Sequence, residues 1–590
     1  MDQLVSFYNK RIATQKELLQ KVKNQLLTSS ILRLSVFLLG SFGVFFFLGN
    51  TKLVLGIIIV TIAIFLYLVG KHTDLQYKRD RILALITINE TEIQVLNRNF
   101  HHLPDGLEYR DDSHYFAQDI DLFGKGSFYQ YSNRTALPHG SDLIVALFLS
   151  NSIDGISSKQ EAVKELSQMP DWRQDFSAVA TLVKADATTK TIASWLKGYS
   201  TYVPKVMRWI PNIFSLISIV FLDGYFLGLL PGYPIFILLF AGLLLSGIYL
   251  KKTSKLASDA NRVQSTFQQY QRLVLKIEEV QFNAVILKRK RNTVLSQDQA
   301  ASNLLKQFSA ILGALDQRNN MIFGFLGNGF FLWDLRQGYK LEQWIAQHGS
   351  KVEQWFNTIA FFDAYNSMGN FAYNHPGYTY PQLVDSETVL KSTKASHPLL
   401  DPKKAVPNDI DILREQFFII TGANMAGKST FLRTVSLQIV MANMGLPLCA
   451  DEVQYNPIKL ITSMRTTDSL TDDESYFFSE LKRLKFIVDE IKTDNYFIVL
   501  DEILKGTNSL DKAIGSRKFV EKLVGSKSTG IIATHDLSLC EASADLPQIR
   551  NHYFDAEIID NELHFDYTFK DGVCQNMNAS FLLKKMEIVE

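Results

Sequence analysis

The sequence predicts an α/β domain in its carboxyl-terminal third, joined to a mainly α-helical region that contains two apolar hairpins. Three observations support this prediction. An apolar run at 416–420 leads through a glycine-rich turn into a helical segment. Two more runs have the pattern of buried strands, at 496–500 and 530–534. Four stretches are apolar and almost free of charge: 31–48, 53–70, 210–230 and 234–250.

The turn at 422–429 has the pattern G-x-x-x-x-G-K-[ST] between a strand and a helix, which is the context of a phosphate-binding loop, or P-loop. Gly422 and Gly427 allow the tight turn, and the helix N-terminus attracts the same anion. Lys428 is expected to reach the β- and γ-phosphates, and Ser429 to hold Mg²⁺. The sequence therefore predicts a nucleoside triphosphate site. We expect the nucleotide to contact Gly422, Ala423, Asn424, Met425, Ala426, Gly427, Lys428, Ser429 and Thr430.

Two further strand ends supply groups for hydrolysis. The run at 496–500 ends in Asp501 and Glu502, the Walker B pattern. Asp501 can hold Mg²⁺, and Glu502 can orient and deprotonate the attacking water, since phosphoryl transfer depends on positioning and charge stabilisation. The run at 530–534 ends at His535, which can sense the γ-phosphate.

The four apolar stretches pair into two hairpins through short turns. Each stretch of the first pair would form about 27 Å of helix, against a hydrocarbon core of about 30 Å. Asp223 is expected near the far end of its helix, and a polar contact between helices is the alternative. Two hairpins inside a large soluble core are the alternative. Basic residues flank the hairpins on one side: Arg33, Lys71, Lys78, Arg79, Arg81, Lys205, Arg208, Lys251, Lys252 and Lys255. The positive-inside rule then predicts an integral protein of the cytoplasmic (inner) membrane, with the α/β domain facing the cytoplasm.

The charge and the cysteine content bear on whether the protein binds nucleic acid or a metal ion. The chain of 590 residues has 61 Lys and Arg against 60 Asp and Glu, so it lacks the overall basicity typical of nucleic-acid-binding proteins. The basic cluster 288–291 could contact phosphate, and a solvated helix face is the alternative. Cys449, Cys540 and Cys574 have no metal-ligand spacing and are expected to be buried free thiols.

Several segments resemble the MutS DNA mismatch repair family. TGANMAGKST at 421–430 is similar to the family's ATPase loop, TGPNMGGKST. The approach at 397–409, the segment SYFFSE at 475–480, DEI at 501–503 followed by GTNS, and ATH at 533–535 resemble other family motifs. A weaker likeness connects 121–135 with the family's core domain. A comparably weak likeness connects the long helical segment after 254 with the lever and core helices of the MutS family.

The resemblance implies an ABC-type, MutS-like P-loop ATPase that uses ATP and Mg²⁺ and works as a homodimer on DNA, through contacts with its shape and backbone. It implies that Ser475 contacts the γ-phosphate bound by the other subunit, and that Lys428, Glu502 and His535 complete the catalytic set. Ala405 stands where the family often has an aromatic residue that stacks on adenine. The mismatch-reading domain is not identifiable, and Phe128 with Tyr129 is expected to pack in the core.

The expected function is a membrane-anchored ATPase that drives a dimeric clamp, with ATP-dependent DNA binding that is related to mismatch repair or directed at branched or damaged DNA. The alternatives are a nucleotide-gated membrane tether for a protein partner and an ABC-type transporter. The sequence lacks the Leu-Ser-Gly-Gly-Gln signature of ABC transporters, which counts against the transporter. The predicted domains are the amino-terminal helix with the first hairpin (1–80), a core-like helical region (81–204), the second hairpin (205–253), a lever and core region (254–390) and the ATPase domain (391–590).

Overall fold

The computed structural model describes residues 2–183, 188–295, 299–465, 476–559 and 562–575. The fold is mainly helical with mixed sheets. Two compact units are present. Unit 1 comprises Met1–Ile93, Thr135–Ser141 and Asp171–Ala364, and unit 2 comprises Gln94–Arg134, Asp142–Pro170 and Tyr365–Glu590.

The helices follow the chain in this order: α1 (Asp2–Phe46), α2 (Thr51–Leu96), α3 (Phe128–Ser132), α4 (Pro138–Leu149), α5 (Ile156–Ser167), α6 (Pro170–Thr181), α7 (Thr189–Lys197), α8 (Ile210–Phe226), α9 (Tyr233–Ile248), α10 (Leu250–Glu278), α11 (Val285–Asn292), α12 (Ala301–Asp316), α13 (Met321–Phe331), α14 (Trp333–Asn374), α15 (Lys428–Met444), α16 (Tyr476–Glu490), α17 (Ser509–Gly525) and α18 (Ala542–Asp545).

The strands are β1 (Gln382–Leu383), β2 (Thr388–Ala395), β3 (Asn408–Leu413), β4 (Phe417–Gly422), β5 (Glu452–Tyr455), β6 (Lys459–Ser463), β7 (Tyr496–Asp501), β8 (Thr529–Ala533), β9 (Ile549–Phe554), β10 (Ala556–Ile559), β11 (Glu562–Phe565) and β12 (Lys570–Asp571).

The two amino-terminal helices form the first hairpin of unit 1. Their charged halves pack through the buried residues Ile12, Val22, Ile82 and Ile86. Their apolar halves expose large side chains instead, from Ile31 onwards. Both helices are long and apolar enough to cross a membrane.

The second hairpin of unit 1, α8 and α9, is shorter than the sequence predicts. The two helices have 17 and 16 residues, because α8 stops at Phe226 and α9 stops at Ile248. The chain bends by 67° between α9 and the start of α10, and the bent pair would make a third candidate span if it acted as one. Asp223 lies in the last turn of α8, as predicted.

The helical segment after 254 is not one long helix. It is divided into α10, α11 and α12, so the prediction of a single helix is wrong. The first break places Phe282 in an aromatic cluster, with ring centroids 5.4 Å from Trp172 and 5.0 Å from Phe362. The helix ends here, and the buried ring of Phe282 packs against other helices instead. Aromatic packing also joins α10 to α12, where the rings of Phe267 and Phe308 are 4.4 Å apart.

Unit 2 contains the larger sheet, which has the strand order β12-β9-β4-β8-β7-β6. All neighbouring pairs are parallel except β12 with β9. A second sheet has the order β1-β5-β2-β3, and β10 pairs with β11 as an antiparallel hairpin. Phe128 and Tyr129 in α3 are buried, which confirms that they pack in the core.

Candidate nucleotide-binding site

The site is built on the central strand β4, in which all six residues are buried. The strand pairs in parallel with β8 on one side and β9 on the other. Parallel strands end at a common edge, so the residues after β4, β7 and β8 lie close together. The turn after β4 leads directly into α15, as the sequence predicts.

Glycine is required at the start of this turn. Gly422 has φ +148°, and a Cβ atom there would lie 2.5 Å from the carbonyl oxygen of Phe554 in β9. Gly427 has φ +106° and begins α15, where a Cβ would lie 3.2 Å from the ring of Tyr567. Met425 also adopts a positive φ of 67° and is largely exposed. The turn therefore keeps its tight shape because Gly422 and Gly427 lack side chains.

Lys428 is buried, and its ammonium lies over the turn. Its Nζ donates to the carbonyl oxygens of Gly422 at 2.8 Å and Ala423 at 2.9 Å, and lies 3.4 Å from Nε2 of His535. Burial lowers the pKa of Lys428, whereas Asp501 and Glu502 act in the opposite direction. The lysine is thus positioned to neutralise an anion held by the turn.

Two oxygen ligands suited to Mg²⁺ lie next to each other at the first turn of α15. The hydroxyl of Ser429 donates to Oδ2 of Asp501 at 2.7 Å. Magnesium prefers oxygen ligands and completes its octahedron with water and phosphate oxygens, so this pair fits it. Across the described ranges, no group of three or more His, Cys, Asp or Glu could hold a metal ion by itself.

Glu502 and His535 face each other beyond the two strand ends. Glu502 has a positive φ of 50°, and its N–H donates to the carbonyl of Ala533 at 2.9 Å. Its carboxylate lies 3.4 Å from Nε2 of His535 and 3.8 Å from Nζ of Lys505. Burial and then Lys428 lower the pKa of His535, so the imidazole is neutral at pH 7. Lys505 is a neighbour of Glu502 that sequence reasoning missed.

These groups open onto one cleft of about 790 Å³. The predicted site residues that line it are Asn424, Met425, Gly427, Lys428, Ser429, Thr430, Asp501, Glu502 and His535. Gly422, Ala423 and Ala426 form the turn behind this surface. Ser475 lies outside the described residues.

An aromatic side chain, Tyr567, lines the cleft in addition to Ala405. It is 43% exposed, and its backbone is fixed by Asn408. The Asn408 amide donates to the Tyr567 carbonyl at 3.0 Å and accepts from the N–H of Phe569 at 2.7 Å. Tyr567 follows the turn by more than a hundred residues, so no local spacing could identify it.

Comparison with known proteins agrees with the motifs in this region. Residues 418–587 match the family model for MutS domain V. This region of the chain is therefore similar to MutS domain V. The match includes β4 from Phe418 onwards and the strand ends next to Asp501 and His535, so the candidate site lies largely within the matched residues.

Individual MutS-family relatives match over a limited region. DNA mismatch repair protein MutS of Syntrophomonas wolfei is 27% identical over 271 residues, covering 44% of this chain and 30% of that protein. MutS protein homolog 4 of Homo sapiens is 28% identical over 261 residues, covering 42% of this chain and 27% of that protein. The matched region thus spans less than a third of the length of these relatives.

Proposed function

We propose that this chain binds and hydrolyses ATP with Mg²⁺. The observation that carries the proposal is the meeting of Lys428, Ser429, Asp501, Glu502 and His535 at one edge of the sheet, around a single cleft. Sequence separates these groups by up to 107 residues. The site combines a positive charge, two oxygen atoms that can bind a metal ion, a carboxylate and a neutral imidazole. This set of groups suits phosphoryl transfer.

Each residue has a role that follows from its contacts. Lys428 exchanges its two carbonyl acceptors for phosphate oxygens, and Ser429 and Asp501 hold Mg²⁺. The metal supplies charge stabilisation at the transferred phosphoryl group. Glu502 accepts a proton from the attacking water, and Lys505, whose Nζ lies 3.8 Å from the Glu502 carboxylate, orients that carboxylate. His535 is neutral, so it can donate one N–H to the γ-phosphate without adding a charge.

The adenine base lies against Tyr567 in this proposal. Ala405 cannot stack on a base, whereas the exposed ring of Tyr567 faces the same cleft. Base–aromatic stacking is worth about 1–3 kcal/mol. Tyr567→Ala should therefore weaken ATP binding by about fivefold or more, while Tyr567→Phe retains most of the affinity. Equilibrium titration with a fluorescent ATP analogue measures both.

The proposal extends to a homodimer that binds DNA as a clamp. Its support is the similarity to relatives such as DNA mismatch repair protein MutS of Syntrophomonas wolfei. In unit 1, the cluster 288–291 leaves Lys288 and Arg289 exposed for phosphate contact. Lys290 and Arg291 are engaged within the unit, Lys290 over the ring of Phe361 at 5.3 Å and Arg291 on the Glu278 carbonyl at 2.8 Å.

Membrane anchoring completes the proposal. The apolar halves of α1 and α2 and most of α8 and α9 expose large aliphatic and aromatic side chains. Soluble monomers rarely expose apolar patches larger than a few hundred Å². We therefore propose that the hairpins lie in the cytoplasmic membrane and that unit 2 lies in the cytoplasm, where ATP is available.

DNA binding by the full chain in detergent tests the clamp. We expect ATP-dependent, salt-sensitive binding that prefers DNA shape over sequence, because phosphate contacts carry no sequence information. Lys288→Ala with Arg289→Ala should reduce the affinity and the salt dependence. Lys518→Ala with Lys522→Ala, which removes the same charge from exposed positions of α17, serves as the control.

A membrane tether for a protein partner is the second candidate function. It is favoured by the engagement of Lys290 and Arg291 within unit 1, which leaves a small basic surface. Absence of DNA binding in every nucleotide state at low salt would contradict the clamp and support the tether. A preference for mismatched over matched duplex above about tenfold, or 1.4 kcal/mol, would contradict a shape-reading clamp.

A further inference from the structure

Helix α13 exposes a face made entirely of apolar side chains. Met321, Ile322, Phe325 and Leu326 are all exposed, Met321 to 85%. The helix has 11 residues and carries no charged side chain. Its Asn328 is turned to the backbone, where its oxygen accepts from the N–H of Asp334 at 3.0 Å. The exposed face therefore offers water no polar partner.

Close backbone packing joins α13 to the second hairpin. A Cβ atom on Gly242 of α9 would lie 2.1 Å from the carbonyl oxygen of Gly329 in α13. A Cβ on Gly329 would lie 2.2 Å from the side chain of Leu239. The two glycines thus permit a close crossing at the middle of α9. The exposed apolar face of α13 continues the exposed apolar surface of the hairpin.

Polar contacts hold α13 at the charged end of that hairpin. Arg318, just before α13, and Asp334, just after it, form a buried ion pair at 3.4 Å. Arg318 also donates to the hydroxyl of Ser254 at 3.0 Å, at the start of α10. Arg336 donates to Asn212 at the start of α8, at 2.7 Å. These partners lie beside Lys205, Arg208, Lys251 and Lys252, on the side expected to face the cytoplasm.

The pattern of exposure identifies lipid as the occupant. In α9, the buried residues Leu239, Gly242 and Ser246 share one face, and exposed apolar residues occupy the opposite face. In α8, the buried residues also share one face, and exposed apolar residues spread over a wider arc of the circumference. A single docked protein would cover one side, whereas lipid surrounds a helix. An 11-residue helix is about 16 Å long, so it cannot span a hydrocarbon core of about 30 Å.

We propose that α13 is a re-entrant helix that lies in the cytoplasmic leaflet and forms a three-helix membrane unit with α8 and α9. The proposal rests on the membrane placement of the second hairpin under the proposed function. It adds a lipid-facing element that the hydrophobic pattern of the sequence did not reveal.

Depth-dependent quenching in proteoliposomes tests this placement. The full chain, with its three cysteines replaced by alanine, carries one environment-sensitive fluorophore on Phe325→Cys. Phe240→Cys on α9 is the matched lipid control, and Leu510→Cys on α17 is the aqueous control, because both side chains are largely exposed. We expect doxyl-labelled lipid to quench the labels at 325 and 240, and iodide to quench the label at 510 while losing most of its effect at 325.

Each other outcome overturns a defined part of the proposal. Quenching by iodide at 325 with lipid quenching at 240 would place α13 in water while the hairpin remains in the membrane. Iodide quenching at both positions would refute the membrane anchor itself. Protection of position 325 from both quenchers would mean that a second copy or a protein partner covers α13.

A second measurement avoids replacing the cysteines. A photo-crosslinking benzoylphenylalanine introduced at Met321, the most exposed position of α13, should form adducts with phospholipid in the otherwise natural chain. Adducts with protein alone would overturn the proposal.

Discussion

Replacing Glu502 by glutamine separates nucleotide binding from hydrolysis. The backbone at this position is fixed by the hydrogen bond to Ala533, and glutamine has nearly the same shape, so the site should keep its geometry. Glutamine cannot accept the proton of the attacking water. General-base catalysis contributes about 10²–10⁴-fold, so the hydrolysis barrier should rise by about 2.7–5.4 kcal/mol.

Single-turnover hydrolysis and equilibrium nucleotide binding together provide the assay. The Glu502→Gln variant should bind ATP with nearly natural affinity and hydrolyse it at least about a hundredfold more slowly. Glu521→Gln on α17, which makes the same chemical change at an exposed glutamate paired with Arg517, should have natural turnover. Lys428→Ala should weaken binding itself. Turnover within tenfold of the natural rate in Glu502→Gln would show that another group is the base.

Three further predictions follow from the turn, the histidine and the hairpins. Gly422→Ala should cost on the order of 1–3 kcal/mol of stability and abolish ATP binding. Gly525→Ala should do neither, because a Cβ at position 525 meets open space. Thermal unfolding measures the loss of stability, and ATP titration measures the loss of binding. Because the pKa of His535 is lowered from 6.5, the turnover rate should be constant from neutral to mildly alkaline pH and decrease only at more acidic pH. His535→Asn should remove this decrease. If the turnover of the variant still decreased at acidic pH, another group would be responsible. A cysteine at Asn50, in the turn of the first hairpin, should react with an impermeant thiol reagent in intact cells, and one at the exposed position Leu510 should not; the reverse pattern would invert the topology.

The strands and turn of the site were predictable because their sequence signals are local. The continuous apolar run of β4 and the required glycines identify the turn wherever they occur. The partners Lys505 and Tyr567 were not predictable in the same way, because their positions depend on tertiary packing. Lys505 comes close to Glu502 because the backbone has positive φ values at 502 and 504. The residue types at these positions do not predict this conformation.

The helical regions show the same division between local and distant causes. The apolar stretches of the two hairpins predicted helices, and the structure has helices there. The break after α10 was missed because Phe282 is drawn into an aromatic cluster by residues far along the chain. Helix α13 was missed because an 11-residue apolar segment is too short to stand out by length.

The position of β4 at the centre of its sheet constrains the biosynthesis of the protein. One neighbour of β4 begins at Thr529 and the other at Ile549, more than a hundred residues after the strand itself. While the ribosome is making that interval, both edges of β4 lack their native partners, and unpaired strand edges favour aggregation. The apolar hairpins are synthesised before this interval begins. If the hairpins insert into a membrane as proposed, a nascent chain would have them available for insertion well before the nucleotide cleft could close around Tyr567.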